Sequence, residues 1–166
     1  MAKIVTDLRE LEAALAGLPA HVLIAIDGWN GVGKTTAARA LAPALGRACI
    51  DLDEFLGEPS GAFVSNLDLE GLQAAFAFSI PAIVSGVCLR DVFDLIGAPP
   101  ARHVYIKRMA KWGWADQEEA EGLGGDYVVI DAAVPPPPLM VEVREYHWRV
   151  KPQDRADVVF ERPDDR

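Results

Sequence analysis

Eight consecutive residues carry the most specific chemistry in the chain: Gly28, Trp29, Asn30, Gly31, Val32, Gly33, Lys34 and Thr35. Glycines at 28, 31 and 33 let the backbone turn tightly, so that successive N–H groups converge on an anion. Lys34, directly after the last glycine, is placed to reach the β- and γ-phosphates of a nucleoside triphosphate. The Thr35 hydroxyl is placed to ligate magnesium. The spacing Gly-x-x-x-x-Gly-Lys-Thr matches the phosphate-cradling P-loop pattern completely. Thr36 opens the following helix, whose positive end points at the same anion. These residues are expected to bind ATP with magnesium.

Acids follow. The run Ile50-Asp51-Leu52-Asp53-Glu54-Phe55 puts carboxylates at the end of a second expected strand, beside the phosphate loop in a sheet of this type. A carboxylate there can accept the proton of an acceptor hydroxyl and can hold magnesium through water. Asp53 is the expected base and metal-side acid, with Lys34 the catalytic cation; Asp51, on the same strand end, is the alternative base. Further along, Lys107, Arg108 and Lys111 precede Trp112 and Trp114. These cations either close over the phosphates, with Arg108 a nucleotide ligand in a short lid at 107–125, or form a solvated strand end. Arg90 is another candidate cation. The tryptophans either stack on a planar acceptor or tie the loop to the sheet, and the second is the commoner use.

Positioning these groups takes a sheet. Leu8, Leu11, Leu15 and Leu18 form a helical stripe from Asp7 to Leu18, ended by Gly17 and Pro19. His21 to Asp27 is an apolar run of the kind buried on both faces, leading straight into the phosphate loop. Thr35 to Leu45 reads as a helix that Pro43 must kink or end. Ala48 to Leu52 is a strand, Leu69, Leu72 and Phe76 mark a helix, and Ala82 to Val87 is a strand. Leu89, Val92, Phe93 and Ile96 mark a helix closed by Gly97. His103 to Ile106 is a strand, Leu139, Val143, Tyr146 and Val150 form a helical stripe, and Asp157 to Phe160 is the last strand. Strands alternating with helices predict an α/β domain over 1–166, with a parallel sheet of about five strands and helices on both faces. The stretch 111–125 and the proline run 135–138 stand outside this rhythm, the latter as a rigid connector.

The segment Ile26-Asp27-Gly28-x-x-Gly31-x-Gly33-Lys34-Thr35-Thr36, followed by a strand ending Leu52-Asp53-Glu54-Phe55, resembles uridine kinase and its nucleoside and small-molecule kinase relatives. The closing Tyr146-His147-Trp148-Arg149-Val150-Lys151-Pro152, with Ala156-Asp157-Val158-Val159 after it, is similar to that family's last helix and strand. The resemblance implies a three-layer P-loop NTPase fold. It also implies Lys34 and Thr35 on the triphosphate and magnesium, Asp53 as base, and the Pro152 to Ala156 turn near the adenine. His147 and Tyr146 read as packing residues. Two departures stand out: such kinases usually end the third strand in Glu-Gly, where this chain has Ser85-Gly86, and their lid carries phosphate-clamping arginines.

Composition narrows the partners. A net charge of −9 argues against a nucleic-acid binder. No apolar run approaches the ~20 residues of a membrane span, and Met1 to Asp7 holds no secretory h-region. Cys49 and Cys88, far apart, read as reduced thiols, so a cytoplasmic protein is expected. The function expected is γ-phosphoryl transfer from ATP to a hydroxyl of a nucleoside-like or sugar-like acceptor. The alternative is a nucleotide-binding regulatory protein without transfer. A GTPase is disfavoured by the lack of an Asn/Thr-Lys-x-Asp run. Oligomeric state is not encoded in any of these features.

Overall fold

The computed structural model describes residues 1–57, 62–79, 81–122 and 137–164. The elements are β1 (Lys3–Val5), α1 (Leu8–Leu15), β2 (Ile24–Gly28), α2 (Lys34–Ala44), β3 (Ala48–Asp51), α3 (Leu69–Ser79), β4 (Ala82–Ser85), α4 (Leu89–Ile96), β5 (Arg102–Ala110), β6 (Gly113–Trp114), α5 (Gln117–Glu121), α6 (Pro138–Val150) and β7 (Val158–Pro163). Asp7 caps α1, accepting from the N–H groups of Arg9 and Glu10, and Gly97 closes α4 in the left-handed conformation. Pro43 sits in the last turn of α2, which ends one residue later. A proline there loses one intrahelical bond and stops the helix without a mid-helix kink. Of the proline run, Pro135 and Pro136 lie outside the described residues; Pro138 opens α6, where a missing N–H is harmless.

One seven-stranded sheet runs in the order β1-β7-β5-β2-β4-β3, with β6 hydrogen-bonded to β5. All pairs are parallel except β5–β6. The five strands expected from apolar runs are present, and β1 and β6 are additions. At three and two residues these are too short to carry a hydrophobic period. The β5 strand also runs past the expected Ile106 to Ala110, because β7 pairs with it as far as Met109–Pro163. The acid-bearing β3 is separated from the loop strand β2 by β4, yet the carboxylates at its end still act on Lys34. Sequence order does not set sheet order, and the α2 crossover skips one place.

Ile24, Ala25, Ile26, Ile83, Val84, Val104 and Ile106 are fully buried in the three central strands, as parallel strands covered on both faces require. Helices α1 and α2 pack on one face. On the other face α4 and α6 meet β2, where the Tyr146 hydroxyl of α6 accepts from the Arg90 N–H and donates to Asp27. Phe76 of α3 stacks on Phe93 of α4 at 5.6 Å. Cys49 and Cys88 are free thiols, the second buried. Among the described residues no helix is long and apolar enough to cross a membrane.

The exit from β4 is tightly packed. A Cβ at Gly86 would lie 2.7 Å from Cδ1, 2.8 Å from Cγ and 2.9 Å from Cβ of Leu52, which is fully buried. Leu52 opens the 3-10 turn (Leu52–Phe55) that carries Asp53, so no flexible side-chain tip can yield. Gly86→Ala is expected to destabilise the fold by about 1–3 kcal/mol, read from the urea midpoint; an unchanged midpoint would refute this packing.

Candidate functional site

The phosphate loop leaves β2 where β5 crowds it. A Cβ at Gly28 (φ +156°) would sit 2.8 Å from the Ile106 carbonyl oxygen and 3.0 Å from Val32 Cγ2. Gly31 and Gly33 are left-handed, at φ +76° and +92°, which only glycine adopts without strain. Trp29 and Val32 are buried, so their side chains anchor the loop and only their backbones are left for a ligand. The Trp29 ring meets His147 edge-on at 5.1 Å. On the far side Arg162 Nη1 donates to the Val32 carbonyl at 3.0 Å, and a Cβ at Gly33 would lie 3.0 Å from the same nitrogen. Asn30 and Gly31 are exposed at the tip.

Lys34 opens α2 with only 8% of its surface exposed. Its Nζ donates to the Trp29 carbonyl at 2.7 Å. Burial lowers its pKa, while Asp27, then Asp53 and Asp51, hold the charge in place. Asp27 is the residue that sequence reading passed over. Its signal was a lone acid closing a strand otherwise buried on both faces. Its Oδ1 accepts from the Gly28 N–H at 2.7 Å and its Oδ2 from the Tyr146 hydroxyl. Burial pushes its carboxyl up to about 6 against the pull of Tyr146, Gly28, Lys34 and Arg90. Tyr146 therefore does more than pack. His147 packs as expected: Val143 O, 2.7 Å from Nδ1, can only accept, so Nδ1 carries the proton and Nε2 accepts from the Tyr105 hydroxyl at 3.0 Å.

At the end of β3 the two candidate bases separate. Asp51 is buried, and its Oδ1 caps the 3-10 turn by accepting from the Asp53 N–H at 3.3 Å. Arg39 Nη2 lies 3.9 Å from its Oδ2. Asp53 is exposed, and among the described residues its carboxylate has neither hydrogen bond nor ion pair. Partial burial raises its pKa, as does Asp51, while Lys34 lowers it. Beyond the turn, Glu142 of α6 accepts from the N–H groups of Phe63 and Val64, tying this segment to the opposite face. Sequence gave no sign of that tie.

The oxygens near the loop suit magnesium. Thr35 is half-buried in the first turn of α2, Asp51 ends β3 with Asp53 in the turn after it, and among the described residues the buried Ser85 hydroxyl has no hydrogen-bond partner. Hydroxyl and carboxylate oxygens are what a hard cation that keeps several waters takes. Among the described residues no group of three or more His, Cys, Asp or Glu is placed to hold a metal by itself.

Two of the proposed lid cations, Arg108 and Lys107, are engaged elsewhere. Arg108 Nη2 lies 2.6 Å from Asp116 Oδ1, with its Nε 3.9 Å from Asp164. Lys107 Nζ stands 4.4 Å over the Trp114 ring. Trp114 is buried and Trp112 is 76% exposed, so only the first ties the β5–β6 hairpin to the sheet. Residues 123–125 of the expected lid lie outside the described residues. Arg90 donates to the Arg155 carbonyl. Pro152 is buried before β7, near the amino ends of the strands, where the Asp157 N–H donates to His103 O. The phosphate loop lies at the carboxyl ends, so the structure does not bring Pro152 to it. There the far end of β7 contributes instead: Phe160, Arg162 and Pro163 line an open cleft of 260 Å³ with Thr6, Gly33 and Thr36.

Acid stability should report the His147 core. Burial lowers its pKa to about 4, so the native state binds fewer protons than the unfolded chain between 4 and 6.5. Stability from this group is present above 6.5 and is lost as pH falls through 4. Asp27, raised to about 6, acts in the opposite sense. His147→Gln should therefore lose about 2 kcal/mol less than wild type between pH 7 and 5, compared by urea midpoints; equal losses would place the His147 titration elsewhere.

No protein-family model and no curated protein sequence matches the chain. Solved structures do, among them two that are kinase-named. One is a uridine kinase candidate from Bacillus stearothermophilus, at TM-score 0.53 and 15% identity over 93% of this chain and 97% of that one. The other, a fructose transport system kinase candidate from Silicibacter sp. TM1040, has TM-score 0.53 and 20% identity, covering 96% of this chain and 99% of that one. At these identities the likeness is one of fold, and the fold is that of P-loop kinase structures.

Proposed function

We propose that this chain is an ATP-dependent phosphotransferase that moves the γ-phosphoryl group to a hydroxyl of a small nucleoside-like or sugar-like acceptor. The observation that carries the reading is the buried Lys34 inside the Gly28–Thr35 loop, with the unpaired Asp53 carboxylate within its electrostatic reach. Backbone N–H groups of the loop and the start of α2 hold the phosphates. Lys34 transfers its hydrogen bond from Trp29 O to the β- and γ-phosphates. Thr35 and Asp53 would hold magnesium with the triphosphate, where it would supply spreading of the charge of the transferring group.

Asp53 orients the acceptor hydroxyl and takes its proton as the oxygen bonds to the γ-phosphorus. The bond from that phosphorus to the β–γ bridging oxygen breaks, and ADP leaves. A carboxyl raised by burial and by Asp51 is the better proton acceptor. The cleft beside Thr36 and Arg162 takes the base of the nucleotide, with the guanidinium plane as one wall. That moves the adenine contact from Pro152 to the other end of β7.

Two observations favour binding without transfer: the strand beside the loop ends in Ser85 with no acid, and Arg108 is held by Asp116 and Asp164. A panel of nucleosides and sugars, followed by ADP release, separates the readings. Asp53→Ala is expected to keep ATP affinity within about threefold while transfer falls at least ~100-fold; retained transfer would remove Asp53 as base. ATP binding with no acceptor raising ADP release above background would favour the regulator. Lys34→Met is expected to weaken ATP binding at least ~10-fold, because the buried donor to the phosphates is gone; unchanged affinity would place the nucleotide elsewhere.

A further inference from the structure

Ser85 closes β4, fully buried, and among the described residues its Oγ has no hydrogen-bond partner. A hydroxyl shut away from water in that way costs about 1–3 kcal/mol, and in native chains such a group is completed by water or an ion. The sheet register says which space it faces. Asp51 on β3 stands directly across from Ser85, and residues paired across a ladder project to the same face. Asp51 faces α2, since Arg39 of that helix lies 3.9 Å from its Oδ2. The Ser85 hydroxyl is therefore turned to the same face, at the carboxyl end of β4, where the first turn of α2 carries Thr35. Asp27 is on the other face, against Tyr146.

Asp51 has capacity to spare. A carboxylate offers about four lone-pair sites, and the Asp53 N–H occupies one at 3.3 Å, with Arg39 3.9 Å from the other oxygen. A water between this carboxylate and the Ser85 hydroxyl would satisfy both.

We infer that Asp51 and Ser85 act as a carboxylate–hydroxyl pair holding water of the hydration shell of the divalent cation that accompanies the triphosphate. The strand next to the loop strand ends without an acid, and the carboxylate comes from its other neighbour, β3. Asp51 is then a positioning residue for the metal, which leaves Asp53 for the acceptor. The inference rests on the nucleotide-binding reading.

Calorimetric titration of the full chain with ATP, with and without magnesium, tests it. Wild type is expected to bind ATP at least ~10-fold more tightly with the metal, as loss of outer-shell partners commonly costs 10–100-fold in metal affinity. Ser85→Ala and Asp51→Asn should each bring that ratio to about threefold or less, with metal-free ATP affinity near wild type. Because the hydroxyl has no hydrogen bond to lose, Ser85→Ala should not lower the urea midpoint, and it carries the test alone if Asp51→Asn fails to fold. The double variant should lose no more than the larger single effect. Manganese titration followed by electron paramagnetic resonance, in the presence of ATP, reads the same loss without turnover. A wild-type magnesium ratio retained in Ser85→Ala, or ATP affinity in wild type indifferent to metal, would overturn the inference and leave the nucleotide reading standing. Wild type that binds no ATP in either condition would overturn both.

Discussion

Lys34 carries its ammonium to a place where little of the residue meets water, and a charge moved out of water costs several kcal/mol unless it is paired and hydrogen-bonded. The first turn of a helix makes matters worse, since its positive end repels a cation. Much of the surrounding structure answers this one constraint. The Trp29 carbonyl takes the hydrogen bond, and carboxylates at the ends of β2 and β3 hold the charge from both sides. The arrangement leaves a cation, a helix start and a ring of loop N–H groups converging on one small space. An anion of several charges is the partner that satisfies all three.

The loop is also held from beneath. Asp27 joins the Gly28 N–H to the Tyr146 hydroxyl, and the neighbouring His147 supports Trp29. Helix α6 thus fixes the loop from one face of the sheet, while Arg162 of β7 fixes it from the outer side. Those contacts give the glycine-rich loop a defined shape. The price is a carboxyl group kept in a setting that favours its protonated form.

The loop and the central strands were legible in the sequence because both follow from backbone necessity. Glycine spacing is imposed by left-handed turns, and apolar runs by burial on two faces. The short strands β1 and β6 left no period to read, and strand order is invisible to local pattern, so β4 between β2 and β3 came only with the fold. Arg108 looked like a free cation because its partners, Asp116 and Asp164, meet it only when the β5–β6 hairpin closes and β7 pairs alongside. Pro152 lies in the turn ahead of β7, and its motif says nothing of strand direction. Asp51 and Asp53 were inseparable as neighbours in a strand end. The 3-10 turn divides them, turning one carboxylate to capping and leaving the other exposed.

The claim on which everything else rests is that the triphosphate lies on backbone N–H groups from Trp29 to Thr36 and on the Lys34 ammonium. Amide and lysine resonances followed by NMR during titration with magnesium and ATP test it most directly. The account predicts saturable shifts, largest at Gly31, Gly33, Lys34, Thr35 and Thr36, with the Lys34 side chain moving in step. Shifts that leave this loop untouched while clustering elsewhere, or no shifts at all, would contradict it.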